Sequence, residues 1–398
     1  MKTDHAEALR EPADFSLILG GPLYQLLRRA HLSGDALELV WRREIAFMVL
    51  TWLPLLILSL AQGRAWGGVT IPFLFDADVH ARLLLSLPLL ILAELIVHQR
   101  MRIVVSAFIK RGLVPAAARA QFDAAIAGAM RLRNSILAEV LLIAVVYGIG
   151  VLVIWRTHTA VDASAWYGQS VDGTLQPTWA GWWFGFVSLP VYQFILARWY
   201  FRLFIWARFL WQVSRIELKL VPTHPDYAGG LGFLGSISQA FAPLLAAQGV
   251  LLAGVMANKI FYAGAKLVDF KMEVIALLVV MLFFVLAPLL VFVPLLARTK
   301  RSGSREYGEL AQRYVRAFDE KWLRGGAPPD EPLIGSADVQ SLADMGNSFQ
   351  VVREMKIVPF GRDTIVQLAM ISLAPVAPLV LTMIPLGDLL DRFIQVVL

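Results

Sequence analysis

Val274–Ala297 reads VIALLVVMLFFVLAPLLVFVPLLA, with no charged side chain anywhere in it. At 1.5 Å per residue a helix of this length covers roughly 36 Å, more than the ~30 Å hydrocarbon layer of a bilayer. A helix resting on a water-soluble core needs an apolar stripe, whereas this segment is apolar all round. It reads as a membrane span.

Six further apolar stretches lie around it, at about 45–61, 83–98, 136–155, 179–198, 237–258 and 364–386. The second is short and holds Glu94; the last holds Pro375, Pro378 and Pro385 and reads either as a full span or as a broken, re-entrant helix. Composition agrees, with 58% apolar residues, 17% charged residues and a mean hydropathy of +0.64 over 398 residues. Soluble domains carry about 25% charged residues. The expected fold is all-α, a polytopic transmembrane helical bundle of six to seven spans with a cytoplasmic layer of amphipathic helices.

Lysine and arginine bias sets the expected orientation. Segments 1–44, 99–135, 198–236 and 298–363 hold 6, 7, 5 and 11 basic residues, which is 29 of the 36 in the chain. Lys259, Lys266 and Lys271 oppose this split without reversing it. The N-terminus is therefore expected in the cytoplasm, in a bacterial inner membrane, with no cleaved leader. Trp155, Trp166, Trp179, Trp182 and Trp183 are expected at the outer headgroup level, and Trp199, Trp206 and Trp211 at the inner one.

This frame divides the chain into a cytoplasmic segment 1–44 with an interfacial helix at 15–31, and a membrane domain 45–297. The membrane domain includes cytoplasmic helices at 101–133 and 199–220, the latter continuing span four. A cytoplasmic helical segment 298–363 follows, then a last span and tail at 364–398. Residues 304–324 read as an amphipathic helix, with Leu310, Tyr314, Phe318 and Trp322 on one face before GGAPPDEP breaks it.

Three groups of residues are candidates for chemistry. Leu220–Gly235, LVPTHPDYAGGLGFLG, places His224 and Asp226 beside Gly229, Gly230 and Gly232 ahead of a span. Pro222 and Pro225 restrict its backbone, and Asp226 can cap the helix that follows. It reads as a tight re-entry turn, or as a binding or gating element whose free N–H groups attract an anion. Glu94, His98 and Glu139 lie at the inner ends of spans two and three, at the depth of Arg198 and Arg202. They read as an ion-pair layer between helices, or as a hydrated vestibule facing a solute. On the outer side, FDADVHAR groups Asp76, Asp78, His80 and Arg82 in what reads as a solvated loop. Prolines within spans, Pro54, Pro88, Pro190, Pro243, Pro288 and Pro294 among them, bend helices and free carbonyls that protein or water must satisfy.

The chain has no cysteine, so no disulfide or thiolate site exists. No spacing for a catalytic triad or a metal site stands out, and no cofactor is expected.

Gly335–Phe360, GSADVQSLADMGNSFQVVREMKIVPF, together with Thr223–Leu234, THPDYAGGLGFL, resembles a group of uncharacterised bacterial integral-membrane proteins with no assigned activity. The resemblance implies an inner-membrane setting and a shared fold, and no mechanism. In topology alone, the layout resembles that of insect chemoreceptor channels. The Gly335–Phe360 stretch has helical spacing but no core of its own, so it must pack on the rest of the chain or on a second subunit. Three function classes follow: a channel or transporter for ions or small solutes, a non-catalytic sensor, scaffold or assembly factor, and an enzyme acting on lipid headgroups. The expected partners are the bilayer, anionic lipids at the cytoplasmic face, a small ion or solute, and a second copy of the chain. The +6 net charge is accounted for by topology, so no nucleic acid is expected.

Overall fold

The computed structural model describes residues 15–30, 40–148, 165–171 and 174–383. It is an integral membrane protein built as an all-α bundle, with a single two-stranded hairpin among the described residues. The elements are α1 (Pro22–Arg29), α2 (Val40–Ala61), α3 (Ala77–Lys110), α4 (Arg119–Arg133) and α5 (Ile136–Gly148). The hairpin β1 (Gly168–Val171) and β2 (Thr174–Pro177) follows. Then come α6 (Trp179–Ser214), α7 (Phe233–Ala263), α8 (Leu267–Leu323), α9 (Ala337–Glu354) and α10 (Arg362–Met383).

Six of these, α2, α3, α6, α7, α8 and α10, are long and apolar enough to cross a bilayer, and α5 is a shorter apolar helix. The start of α5 and the residues just before β1 lie at opposite ends of the bundle. Asn134 and Glu139 bond Gly21 and Leu23 at one face, whereas Trp166 bonds Asp76 at the other. The remainder of the span expected at 136–155, with Trp155, lies outside the described residues.

Prolines shape the spans as the backbone chemistry demands. Pro88 and Pro190 each follow a π-helical turn, Ala81–Ser86 and Phe184–Ser188. A proline lacks the N–H and crowds the carbonyl four residues back, so the ladder before it loosens to wider spacing. The freed carbonyls are taken by side chains: Tyr147 Oη donates to Phe186 O at 3.2 Å, and Trp183 Nε1 donates to Leu50 O, four residues before Pro54, at 3.1 Å. Around Pro288 and along Ala374–Met383, which includes Pro375 and Pro378, the helices tighten to 3-10 geometry instead. α7 lies tightly on its neighbours: a Cβ on Gly254 would meet Ala81 Cβ at 2.6 Å, and one on Gly249 would meet Ser372 O at 2.1 Å.

Several boundaries differ from the expected ones. The 101–133 region is not one interfacial helix: α3 runs through to Lys110, a turn with Gly112 at φ 66° and Pro115 breaks it, and α4 starts at Arg119. α6 stops at Ser214 instead of about Leu220. Segment 304–324 is not a separate helix but the far half of α8. Trp166, Trp199 and Trp206 are fully buried and not in an interfacial belt, whereas Trp179, Trp182 and Trp211 are exposed as that belt requires. The two buried indoles of α6 recur with Leu203, Leu210 and Val213 at helical spacing, and that face packs on the core.

Segment 15–31 also departs from an interfacial helix. Phe15–Gly21 is an irregular strap inserted between helices, and only Pro22–Arg29 is helical. Phe15 packs on Phe209 and Trp206, Arg133 Nη1 donates to Ser16 O at 2.6 Å, and Ser16 Oγ sits 2.8 Å from His98 Nδ1. Irregular backbone near lipid depth survives only inside protein. Phe15, Leu17 and Ile18 meet that condition, all of them buried.

α9, which carries the Gly335–Phe360 stretch, packs on the far half of α8 in the same chain. Tyr314 Oη and Trp322 Nε1 donate to the backbone and carboxylate of Asp338 at 3.2 and 3.0 Å. Lys321 joins that carboxylate at 2.8 Å, and hydrogen bonds from Lys321 and then Trp322 hold Asp338 below the ordinary aspartate range.

Candidate functional site

The charges expected at the inner ends of the spans form one buried layer. Glu94 on α3 is held from both sides, with Arg43 Nη1 on α2 at 2.6 Å from Oε2 and Arg202 Nη1 on α6 at 2.7 Å from Oε1. Arg198 Nη2 lies 3.6 Å from Glu139 Oε1, whose other oxygen accepts from Leu23 N at 2.9 Å. Arg43, Glu94, Glu139, Arg198 and Arg202 are all buried, with 2–8% of their surface exposed. The charges pair with one another across α2, α3, α5 and α6, as an ion-pair layer requires. His98 stands apart, bonded to Ser16 on the strap.

The layer is one end of a longer stripe. α3 carries Asp78, Arg82, Ser86, Glu94 and His98 at multiples of four residues, a run of roughly 30 Å along the helix, which matches the hydrocarbon thickness. α6 answers it in parallel order. Tyr192 Oη meets Ser86 Oγ at 2.9 Å, Trp199 Nε1 donates to Leu90 O at 2.9 Å in the gap, and Arg202 meets Glu94. Arg82 pairs with Asp78 at 2.9 Å and also lies over the Tyr192 ring. Ser86 and Ser188, one at the end of each π turn, are fully buried. Ser86 Oγ reaches Ala247 O at 2.9 Å, and Ser188 Oγ reaches Thr51 O at 2.6 Å.

At the other end, FDADVHAR is not a solvated loop. Asp76 is 5% exposed and caps the start of α3 by accepting from Val79 N. Its carboxylate also accepts from Trp166 Nε1 and from Asn258 Nδ2 on α7, both at 2.7 Å. Among the described residues, its hydrogen-bond donors are neutral. Burial, then the Asp76 and Asp78 charges, push the neighbouring Tyr167 hydroxyl up to about 12. His80 accepts from Trp52 Nε1 at 3.0 Å, and among the described residues no cluster is able to hold a metal ion.

The glycine turn closes on itself. Asp226 accepts from Ala228 N and Gly230 N through Oδ1 at 2.8 and 3.1 Å, and from Gly232 N through Oδ2 at 2.8 Å. His224 Nδ1 is 2.8 Å from the same Oδ1. Burial alone would raise this carboxyl, but the three N–H groups and His224 outweigh it, and Asp226 sits below the ordinary aspartate range. The donors expected to be free for an external anion are taken by the turn's own carboxylate. Gly229 and Gly230 adopt φ of 64° and 98°, which their lack of Cβ permits.

The two stretches that carried the sequence resemblance meet here. Lys356 N donates to Tyr227 O at 2.6 Å, and a Cβ on Gly235 would come 2.8 Å from Pro359 O. Between them lies an open pocket of about 260 Å³ that includes Asp226, Ser236, Gln239, Lys356 and Thr364.

Comparison with protein-family models, curated proteins and solved structures finds no match to this chain. Sequence reasoning named Glu94, Glu139, Arg198 and Arg202, placed Asp76 in a solvated loop, and missed Arg43, Asn258, Tyr192 and the two buried serines. One signal was available for the serines: Ser-Leu-Pro occurs at Ser86–Pro88 and again at Ser188–Pro190, each ending a π turn.

Proposed function

We propose that this protein is a channel or transporter for a small ion or solute in a bacterial inner membrane, with its N-terminus in the cytoplasm, and that the solute moves along the α3–α6 interface. The observation that carries the reading is the polar stripe from Asp78 to His98, as long as the hydrocarbon layer is thick. Asp78 pairs with Arg82 within α3, Ser86 meets Tyr192 of α6, Glu94 is held by Arg43 of α2 and Arg202 of α6, and His98 is bonded to Ser16 of the strap. Ionisable groups inside a membrane are costly and mark conduction paths and relays more often than packing. The π turns at Ala81–Ser86 and Phe184–Ser188 and the 3-10 stretches at Ala287–Phe292 and Ala374–Met383 add the helix irregularity common at transport sites. The buried strap over the basic end supports a closed state.

The test is flux. Purified protein in proteoliposomes is expected to move a small ion down its gradient, and Glu94→Asp, which keeps a carboxylate between the two arginines, is expected to change the rate by about tenfold. Absence of flux of any ion under all gradients would sink the reading. A scaffold role has one specific observation in its favour: the turn joining α8 to α9 exposes Leu323, Leu333 and Ile334 at 70%, 52% and 93%.

A further inference from the structure

We infer that the solute accepted at the basic end of the stripe is a small oxyanion, and that Arg43 is the residue that binds it. This rests on the transport reading above and names the substrate class of the same site.

The charge inventory comes first. α2 contributes Arg43, α3 contributes Glu94, α5 contributes Glu139, and α6 contributes Arg198 and Arg202. Among the described residues, three guanidinium groups therefore face two carboxylates. Arg133, at the end of α4, is a fourth and spends its donors on Ser16 O and Asn134 Oδ1. Glu44 follows Arg43 in the chain, but on a helix it points about 100° away. The layer holds an excess of positive charge at a depth where an unbalanced charge is costly.

The hydrogen-bond inventory points the same way. Arg43 is 2% exposed, and its Nη1 bonds Glu94, but its Nε and Nη2 have no hydrogen-bond partner among the described residues. Those two nitrogens form one edge of the guanidinium plane, the fork that grips two oxygens of a carboxylate or phosphate in parallel. A water would satisfy one or both donors and leave the charge unbalanced. A cation would be repelled by the surplus guanidinium charge, since each Glu94 oxygen already faces an arginine. A group with two acceptor oxygens and one negative charge answers both deficits. Nitrate, acetate and phosphate share that edge; chloride does not.

The full-length protein, purified in detergent, is melted in sodium nitrate, acetate or phosphate, each against sodium chloride at equal ionic strength. A rise in the melting midpoint with at least one oxyanion is expected. Its loss in Arg43→Lys is expected too, because lysine keeps the charge and the Glu94 pair but lacks the fork. Proteoliposome uptake of the stabilising anion should fall at least tenfold in the same variant. A midpoint that none of the three anions moves overturns the inference, as does a rise that persists undiminished in Arg43→Lys. Proton or cation flux without any oxyanion effect also overturns it, while leaving the transport reading standing. An oxyanion-dependent rise without flux supports the site and sinks the transport reading instead.

Discussion

Glu94 and Asp226 are two carboxylates near the basic side of the bundle, and the chain holds them in opposite ways. Glu94 sits mid-helix, where every nearby backbone N–H is committed to the helix ladder, so only side chains can answer its charge, and two arginines do. Asp226 sits in an irregular turn whose N–H groups are uncommitted, and three of them converge on it with His224. The state of the backbone decides which kind of donor neutralises an acid. The cost of an error differs accordingly, because a turn donor that loses its acceptor can turn to water and a buried guanidinium cannot.

The largest expected effect follows from that asymmetry. Glu94→Ala leaves Arg43 and Arg202 facing each other without a carboxylate, and a buried charge stripped of its partner costs about 3–5 kcal/mol. Thermal melting in detergent is expected to show a large drop, or no recoverable folded protein.

Asp226→Asn comes next. It keeps the shape of the side chain but trades one carboxylate oxygen for an amide donor that faces N–H groups, a loss of about 1–3 kcal/mol. It also has a pH signature. A carboxyl whose folded pKa is depressed contributes stability that is fully present above its unfolded value, and that contribution fades as the pH falls through the folded value. The ordinary aspartate value is 3.8, so the wild-type melting midpoint should decline more steeply than that of Asp226→Asn as pH drops through and below that region. Parallel acid limbs would show that the turn does not depend on the charge.

The smallest effect is expected at Asp123, whose i,i+4 pair with Arg119 is half exposed at 3.2 Å. Asp123→Asn should shift stability by no more than about 0.5 kcal/mol. A drop at Asp123 as large as the one at Glu94 would erase the contrast between lipid depth and surface.

The same contrast explains what was legible in the sequence. Asp226 is held by groups within six residues of itself, so Leu220–Gly235 could be read locally as a capped turn. Glu94 could be recognised as a costly charge, but its partners lie 51 and, from the numbering of Arg202 and Glu94, 108 positions away, and nothing local marks Arg43 as the second of them. Asp76 was misread because FDADVHAR is polar. Its burial depends on Trp166 and Asn258 arriving from 90 and 182 residues further on. The spans were visible because apolar length is a local property. The strap was not, since FSLILGG looks interfacial until Trp206 and Phe209 are seen beneath it.

The central claim is that the α3–α6 stripe is a wet path and not dry glue between two helices. The chain contains no cysteine, so single thiols can be placed at will and probed with a charged, membrane-impermeant reagent in inverted membrane vesicles, whose cytoplasmic face is outward. Ser86→Cys lies on the stripe and Leu85→Cys, at 56% exposure, faces the lipid side, where a thiol stays protonated and inert. The account predicts labelling at position 86 and none at 85. An unlabelled Ser86→Cys beside a fully labelled Arg324→Cys, at the exposed far end of α8, would contradict it.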